Sequence, residues 1–532
     1  MIVSEIEDLT LVQDGELQGK PSATAGAVAA LKPAAQPTSN LLTPNDWFLQ
    51  RYPAVAECYG NALEQGVNKN GALIVTDIRE PFLAAVLTQM GTPDAPVVYH
   101  REEENFYAYE ASTGVFGSIR PQELEGRISA ILLECAQACR ELADVRALEF
   151  KFSKSKNLGG VVQHLKGGMC SVDGEFFVDR FDTHLPCTNG ILAIDELTLL
   201  PFSPSFHFRK RVNIPFLADA KCAEFLDRVV QPALELDATA VLQEFFGLCL
   251  AGVNVPQVLT IFSGPGSSSK GTAADILIGV IGQQNMSSLR TAHADSRFEQ
   301  SRYVGKNLLY GADVAHTFLS EAGASELKSL TGGDYKTTER KNANEQPGIR
   351  GRFNVLITTN ARPQLRILGA DDASAWRRRL IPFVFTGVEG RVPERQLAEK
   401  LVTKEGPGIL CWMIEGLRRL KCRGWQLQLS VRQRALVTSL LDEAQSHEHF
   451  AARVVIATAG TALTMLECYS AYTMFCDHQG WGALARGRFV AVIEDTFRRR
   501  FQVSVRHDLL SPDGKAQRGW KGLAIDPTAW EL

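Results

Sequence analysis

Short apolar runs alternate with helical and glycine-rich segments between Val258 and Phe385. Four of these runs are rich in β-branched and aromatic residues, as buried strands are: VLTIF, NLLYGAD, NVLITTN and LIPFVF. Strands that alternate with helices indicate a parallel sheet, because each parallel pair needs a crossover connection. We therefore predict an α/β core in this part of the chain.

The flanking regions show other patterns. The first 46 residues contain no aromatic residue and include a proline-containing tract of small residues, so we expect a flexible arm there. Further on, VVYHREEENFYAYE predicts a strand, and the run from Leu124 to Phe150 predicts a long helix. The predicted divisions are an arm over 1–46, an α+β domain over 47–214, the core over 215–390 with a helical lead-in over 215–252, a helical linker over 391–450 and a small α+β domain over 451–532.

The composition is that of a soluble globular protein. The 532 residues include 56 Lys+Arg and 60 Asp+Glu, and the formal charge of −4 excludes a protein that coats nucleic acid by bulk charge. The eleven cysteines include no C-x-x-C pair, and Cys135 and Cys139 are expected as packed thiols on one helix face. No signal-peptide pattern and no long apolar stretch is present, so we expect a cytoplasmic protein without a membrane span.

A Gly/Ser-rich loop follows the first predicted strand. The segment from Ser263 to Thr272 reads SGPGSSSKGT, and the apolar run AADILIGVIG after it predicts a packed helix. Backbone N–H groups at a helix N-terminus bind polyphosphates, while a lysine in such a loop reaches the β and γ phosphates. The residues expected to bind phosphate are Gly264, Gly266, Ser267, Ser268, Ser269, Lys270, Gly271 and Thr272.

The loop departs from the pattern G-x-x-x-x-G-K-[ST] at two positions. Ser269 stands where glycine is usual, and Gly271 moves the hydroxyl to Thr272, which leaves the Mg²⁺ role of Thr272 open. One alternative is a polar loop with a solvated lysine. A second is a nucleoside monophosphate kinase, because the loops of those enzymes are similar.

Polar residues follow the next strands. Asp313 ends NLLYGAD, where an acidic residue would hold Mg²⁺ or orient the attacking water, and Asn360 ends NVLITTN, where a γ-phosphate sensor would lie. Arg377 and Arg378 precede the fourth strand and could stabilise the transferring phosphoryl group from a neighbouring copy. The alternative for Asp313 is an aspartate in a turn, and the alternative for Asn360 is a cap at the end of the strand. The alternative for the arginines is a run of solvated charges.

Positive charge is concentrated locally. From Gly332 to Arg379 there are ten basic and five acidic residues, and Lys336, Arg340 and Lys341 cluster on a predicted hairpin. Such residues neutralise DNA phosphates with little sequence preference. The alternative is an exposed loop with internal salt bridges.

In their order, these motifs resemble superfamily 3 helicases of the poxvirus-type primase-helicase and phage/plasmid primase group. The resemblance is most specific over 258–385 and extends upstream to PCTNGILAIDELTLLPFSPSF. It implies an AAA+-like P-loop ATPase core, a helical or mixed N-terminal domain and a small winged-helix-like C-terminal domain. The implied function is that of a replicative helicase of a phage, plasmid or integrated element in a bacterial host.

The resemblance also implies roles for the site residues. Lys270 and Thr272 would hold ATP and Mg²⁺, Asp313 would hold the metal, Asn360 would be the sensor, and Arg377 or Arg378 the arginine finger, while Lys336 or Lys341 would contact DNA. The implied partners are single-stranded and fork DNA, further copies forming a hexamer, and a separate primase or host replication proteins.

Two points qualify the resemblance. Relatives usually carry Glu at the position of Asp313, so an ATP-binding regulator without turnover stays an alternative. The region before residue 250 contains no D-x-D pair, and we predict that the chain does not synthesise primers by itself.

Overall fold

The structure is a computed structural model that describes ten stretches of the chain. They are residues 42–140, 142, 155–173, 176–293, 296–320, 324–337, 349–365, 370–386, 394–510 and 516–528. Most of the predicted arm, residues 1–41, therefore lies outside the described residues. Among the helices of the described stretches, none has both the length and the apolar character needed to cross a bilayer.

Among the described residues, the N-terminal unit comprises five α-helices and two small sheets, with a core that includes Phe48, Phe82 and Leu124. One sheet is a hairpin, and the other has four strands in the order β5-β4-β3-β6. The helices are α1 Pro44–Arg51, α2 Pro53–Tyr59, α3 Glu80–Val86, α4 Pro121–Ala138 and α5 Ser155–His164. The strands are β1 Leu63–Val67, β2 Leu73–Ile78, β3 Val97–His100, β4 Asn105–Glu110, β5 Val115–Ile119 and β6 Ser171–Val172.

This unit differs from the sequence prediction at three points. The unit begins inside the predicted arm, because Thr43 and Asp46 form a capping box that starts helix α1 at Pro44. The predicted strand VVYHREEENFYAYE is a hairpin of β3 and β4, since the polar residues 101–104 form a turn. Helix α4 ends at Ala138, and the rest of the predicted long helix falls on residues of which the structure describes only 139, 140 and 142. Cys135 and Cys139 are buried free thiols, as the helical spacing predicted.

The segment from 176 to 214 packs on both the N-terminal unit and the core: Phe177 lies in a cluster with Tyr107 and Phe116, and Arg209 forms an ion pair with Glu103 at 2.6 Å. It contains the antiparallel strands β7 His184–Cys187, β8 Gly190–Ala193 and β9 Thr198–Leu200. Phe181 and Ile191 belong to the same buried cluster as Phe245 and Leu417. The predicted boundary at 214 therefore does not separate two independent cores, because apolar side chains of this segment cover the core helices while others pack on the N-terminal sheet.

The core contains a sheet of five parallel strands in the order β11-β12-β15-β10-β16. The four apolar runs of the sequence lie in β10, β12, β15 and β16. One face of the sheet packs in the cluster that includes Phe262, and the other packs in the cluster that includes Ile261. The strands are β10 Leu259–Ser263, β11 Met286–Ser288, β12 Leu308–Gly311, β13 Tyr335–Lys336, β14 Ile349–Arg350, β15 Asn354–Thr359 and β16 Leu380–Val384, where β13 and β14 form a separate hairpin. The helices of eight or more residues are α6 Leu236–Ala251, α7 Lys270–Ile281, α8 Ala324–Gly332 and α9 Ala370–Arg379.

Two long helices follow, α10 Leu397–Cys422 and α11 Val431–Ala444. They are not the predicted linker, because Leu410 and Leu417 of α10 are fully buried in the core cluster with α6 and α7. Gly408 brings α10 close to the preceding segment: a Cβ at this position would lie 2.1 Å from the carbonyl oxygen of Lys221. The core thus extends to the end of α11.

The C-terminal unit alternates helices and strands around its own core of Tyr472, Phe489 and Trp520. Its three strands form an antiparallel sheet in the order β17-β19-β18. The elements are α12 Ser446–Arg453, β17 Val455–Thr464, α13 Met465–His478, α14 Arg486–Phe501, β18 Arg506–Leu510 and β19 Ala516–Ile525.

Candidate functional site

The carboxyl ends of three neighbouring strands bring the predicted site residues to one edge of the sheet. Strand β15 lies between β10 and β12, with Ser263 beside Thr359 and Gly311 beside Ile357. The Gly/Ser-rich loop, Asn360 and Asp313 follow these strand ends directly. In open α/β sheets, ligands bind outside the carboxyl ends of the strands.

The loop turns tightly from β10 into helix α7. Gly264 has φ +152°, and a Cβ there would lie 2.2 Å from the carbonyl oxygen of Phe385, so only glycine fits. Ser267 and Ser269 have left-handed backbone, with φ +62° and +70°. The conformation of Ser269 explains why glycine suits this position: a side chain there costs roughly 1–2 kcal/mol.

Lys270 is the first residue of α7 and is buried, with 6% of its surface exposed. Its ammonium group donates hydrogen bonds to the carbonyl oxygen of Pro265 at 3.0 Å and to Oδ1 of Asn360 at 2.6 Å. The lysine is therefore not the solvated side chain of the alternative reading. The amide of Asn360 orients the lysine across the loop.

Two hydroxyl groups next to this pair lack partners. Oγ of Ser268 and Oγ1 of Thr359 are buried, and neither has a hydrogen-bond partner among the described residues. Buried polar atoms are normally satisfied, so such hydroxyls suit an acceptor that binds there. Gly266 and Gly271 are exposed, and a Cβ at either would contact nothing within 4 Å, which leaves space beside the loop.

Asp313 lies at the surface beyond β12, with φ +45°. Its backbone N–H donates to Oγ1 of Thr358 at 2.9 Å, which holds the turn against β15. A second acid, Asp275 of α7, was not singled out from the sequence. Burial raises the pKa of Tyr310, and the charges of Asp275 and Asp313 raise it further, so both carboxylates lie near that ring.

The available oxygen donors fit Mg²⁺ only in part. Within the described residues, no group of three or more His, Cys, Asp and Glu side chains could hold a metal ion. Mg²⁺ bound with a nucleotide needs only one or two protein ligands besides phosphate oxygens and water. The carboxylate of Asp313 and the hydroxyl of Thr272, in the first turn of α7, are ligands of the right type.

Arg377, Arg378 and Arg379 lie at the end of the strands opposite to the loop. Leu380 is paired with Leu259, so α9 ends where β10 begins, about 13 Å along the strand from the loop. Arg377 and Arg378 are exposed there, and within the described residues neither is paired with a residue of the loop. Arg379 is buried; desolvation and the neighbouring Arg378 lower its pKa.

The predicted DNA-binding residues fall into two groups. Lys336 forms an ion pair with Glu326 of α8, and only 18% of its side chain is exposed. Its charge is thus neutralised within the chain, which agrees with the alternative of a loop with internal salt bridges. Arg340 and Lys341 lie outside the described residues.

The basic residues of α14 are also paired. Arg499 contacts Glu448 at 2.6 Å and Asp495 at 2.9 Å, and Arg498 lies 3.8 Å from Asp495. The arginine cluster of the C-terminal unit is therefore partly neutralised by acidic residues of the same unit.

Comparison with known proteins gives a family match over part of the chain and 94 matching chains of solved structures. Residues 262–379 match a family of unknown function, DUF5906, and this stretch includes the loop, Asp313, Asn360 and the arginines. No curated protein matches the chain. Two solved structures that resemble it are apo forms of the NrS-1 C-terminal region. The A form has 13% identity and a TM-score of 0.47 and covers 84% of this chain and 100% of that chain. The other has 13% identity and a TM-score of 0.46, with coverage of 84% and 99%.

Proposed function

We propose that the protein is an ATP-dependent DNA helicase that hydrolyses ATP with Mg²⁺ and moves along single-stranded DNA. The observation that carries the proposal is the hydrogen bond between Lys270 and Asn360, which joins a glycine-rich loop to the end of the adjacent strand. Both groups lie where a helix N-terminus and its free N–H groups favour a bound polyphosphate.

The chemistry follows from these side chains. The Lys270 ammonium exchanges its contact with Pro265 for phosphate oxygens, while Asn360 keeps it in position and detects the terminal phosphate. The unpaired hydroxyls of Ser268 and Thr359 supply further donors. Asp313 and Thr272 would hold Mg²⁺, which would neutralise charge on the phosphates.

The positions of the arginines support hydrolysis between copies. Arg377 and Arg378 lie at the edge of the sheet away from the loop, so they suit the triphosphate of a neighbouring copy. Contacts of this kind join different surfaces of two copies and close into a ring when the rotation allows it. We propose an AAA+-like ring, in particular a hexamer, on this basis.

The C-terminal unit suits a winged-helix-like module. Its elements follow the order helix, strand, helix, helix, strand, strand, with three antiparallel strands. The partners of the whole protein would be replication-fork DNA and a separate primase or host replication proteins.

Hydrolysis of ATP by the full chain, with and without single-stranded DNA, tests the proposal. Lys270→Ala should abolish turnover, because the β and γ phosphates lose their nearest positive charge. Lys400→Ala is a matched control, since this exposed lysine of α10 lies outside the loop and pairs with Glu394, which precedes the helix. Wild-type turnover by Lys270→Ala would refute the site.

The same assay separates the alternatives. DNA-stimulated turnover supports the helicase. Binding of ATP without turnover favours a regulatory protein, and phosphoryl transfer to a nucleoside monophosphate favours a kinase.

A further inference from the structure

The segment after strand β15 connects the candidate site with helix α11. Asn360 opens this segment and accepts the hydrogen bond from Lys270 at 2.6 Å. Two residues further on, Nε of Arg362 donates to Oε2 of Glu443 at 2.8 Å, and Nη2 donates to Oγ of Ser439 at 2.9 Å. Glu443 and Ser439 lie one turn apart on α11, so Arg362 is held by two contacts on one face of that helix.

The segment has little freedom to move independently of α11. The ring of the buried Pro363 restricts the backbone of Arg362 to extended conformations. Leu365 is buried in one apolar cluster with Val437 of α11. At most about 7 Å of chain separates Asn360 from Arg362, so a displacement of Arg362 is transmitted to Asn360.

Glu443 also contacts the C-terminal unit. Its Oε1 accepts a hydrogen bond at 3.0 Å from the backbone N–H of Gly482, in the loop between α13 and α14. A Cβ at Gly482 would lie 3.0 Å from Nε2 of Gln364, so this loop also lies against the segment after β15. The loop is fixed to its own unit, because the N–H of Leu484 donates to the hydroxyl of Tyr472 at 3.1 Å. One buried carboxylate thus joins the segment after β15 to the C-terminal core.

We propose that Arg362 and Glu443 are positioning residues for Asn360 and that they couple the C-terminal unit to ATP turnover. The proposal rests on the proposed function, because Asn360 senses a terminal phosphate only if the loop binds ATP. One oxygen of Glu443 is used by Arg362 and the other by Gly482. Charge-assisted hydrogen bonds of this kind are stronger than neutral ones, so a movement of the C-terminal unit shifts the carboxylate, and with it Arg362 and Asn360.

Steady-state ATP turnover by the full chain tests the positioning role. Arg362→Ala and Glu443→Gln should lower kcat about 10- to 100-fold, because a displacement of about 1 Å at a group that contacts the reacting phosphate can have an effect of that size. The affinity for ADP should stay as in the wild type, since Asn360 senses the terminal phosphate of ATP. Arg362→Lys should recover part of kcat, because it keeps the positive charge that faces Glu443.

Two further variants are controls. Ser439→Ala removes one contact of Arg362 and leaves the ion pair, so its kcat should fall less. Arg228→Ala breaks an ion pair with Glu394 outside the segment after β15, and the Arg228 side chain is 42% exposed, close to the 40% of Arg362. Its kcat should equal that of the wild type. All variants should melt near the wild-type temperature, because partly exposed ion pairs contribute little to stability and Gln has the shape of Glu.

Hydrogen–deuterium exchange of the full chain tests the coupling. Binding of a non-hydrolysable ATP analogue should protect the Gly/Ser-rich loop of the wild type and should also change the exchange of residues 479–485. In Arg362→Ala and Glu443→Gln the loop should still be protected, while the change over residues 479–485 should be absent.

The outcomes separate this inference from the proposed function. If the analogue does not protect the loop of the wild type, ATP binding and the inference are both wrong. If the loop is protected but residues 479–485 do not respond, or respond equally in wild type and variants, only the inference is overturned. It is also overturned if Arg362→Ala and Glu443→Gln keep wild-type kcat, or if their kcat falls together with the melting temperature and the affinity for ADP, because the ion pair is then only structural.

Discussion

Replacing Asn360 by aspartate changes the charge of the candidate site and almost nothing else. The two side chains have the same shape, so Oδ1 can keep its 2.6 Å contact with the ammonium of Lys270. The second oxygen of the aspartate replaces an amide N–H donor. An ion pair with Lys270 would then compete directly with a phosphate for the lysine.

The magnitude can be worked from this geometry. Two unit charges 4 Å apart interact by about 4 kcal/mol at an effective dielectric constant of 20. Asn360 is exposed, so water and salt reduce this repulsion to about 1–2 kcal/mol. We expect Asn360→Asp to weaken ATP binding about 5- to 30-fold. Asn360→Ala, which adds no charge, should weaken it less.

Competition against a fluorescent ATP analogue, at fixed Mg²⁺ and two salt concentrations, measures this difference. The loss of affinity should be larger for ATP than for ADP, because a sensor of the terminal phosphate affects only the triphosphate. This loss of affinity should also be smaller at high salt. If Asn360→Asp binds ATP as tightly as the wild type, Asn360 is a structural cap and the reasoning about the sheet edge is wrong.

The remaining predictions concern stability. Gly408→Ala should lower the free energy of unfolding in urea by about 2–4 kcal/mol, because the new Cβ would lie 2.1 Å from the Lys221 carbonyl oxygen. Gly126→Ala should instead stabilise helix α4 by about 0.5–1 kcal/mol, because a Cβ at that position has nothing within 4 Å. Equal effects would contradict this packing. Burial lowers the pKa of Lys210 from its ordinary 10.5 to about 8. Between these two pH values the unfolded chain binds more protons than the folded chain. The free energy of unfolding should therefore rise with pH in this range, by up to about 1.4 kcal/mol per pH unit. Lys210→Met should remove this contribution to the pH dependence, and an unchanged pH profile would refute the assignment.

Much of the core could be predicted from the sequence. Buried parallel strands read as continuous apolar runs, and four such runs became β10, β12, β15 and β16. The meeting of Lys270 with Asn360, 90 residues away, follows from the rule that parallel strands end at one edge. The use of this edge for ATP stays a prediction.

Other features depend on tertiary packing that no local pattern encodes. The hairpin residues Tyr335 and Lys336 are adjacent in sequence, and which one faces solvent is decided by the docking of Ile349 into the core. On charge alone, Lys336 was the predicted DNA contact, but its ammonium group is paired with Glu326. Asp275 was missed because an isolated acid in an apolar helix has no distinctive spacing.

The packing of residues 176–214 determines where this protein can be divided. A fragment starting at residue 215 would lose Phe181, Leu185 and Ile191, and would expose to water the apolar side chains of α6, α7 and α10 that they cover. The exposed patch would favour aggregation. The upstream unit has its own core, but a cut between Val172 and Phe176 would remove Phe176 and Phe177 from the cluster that they form with Tyr107 and Phe116. Residues 176–214 therefore hold the two units together, and a cut at either end of this segment would expose apolar side chains to water.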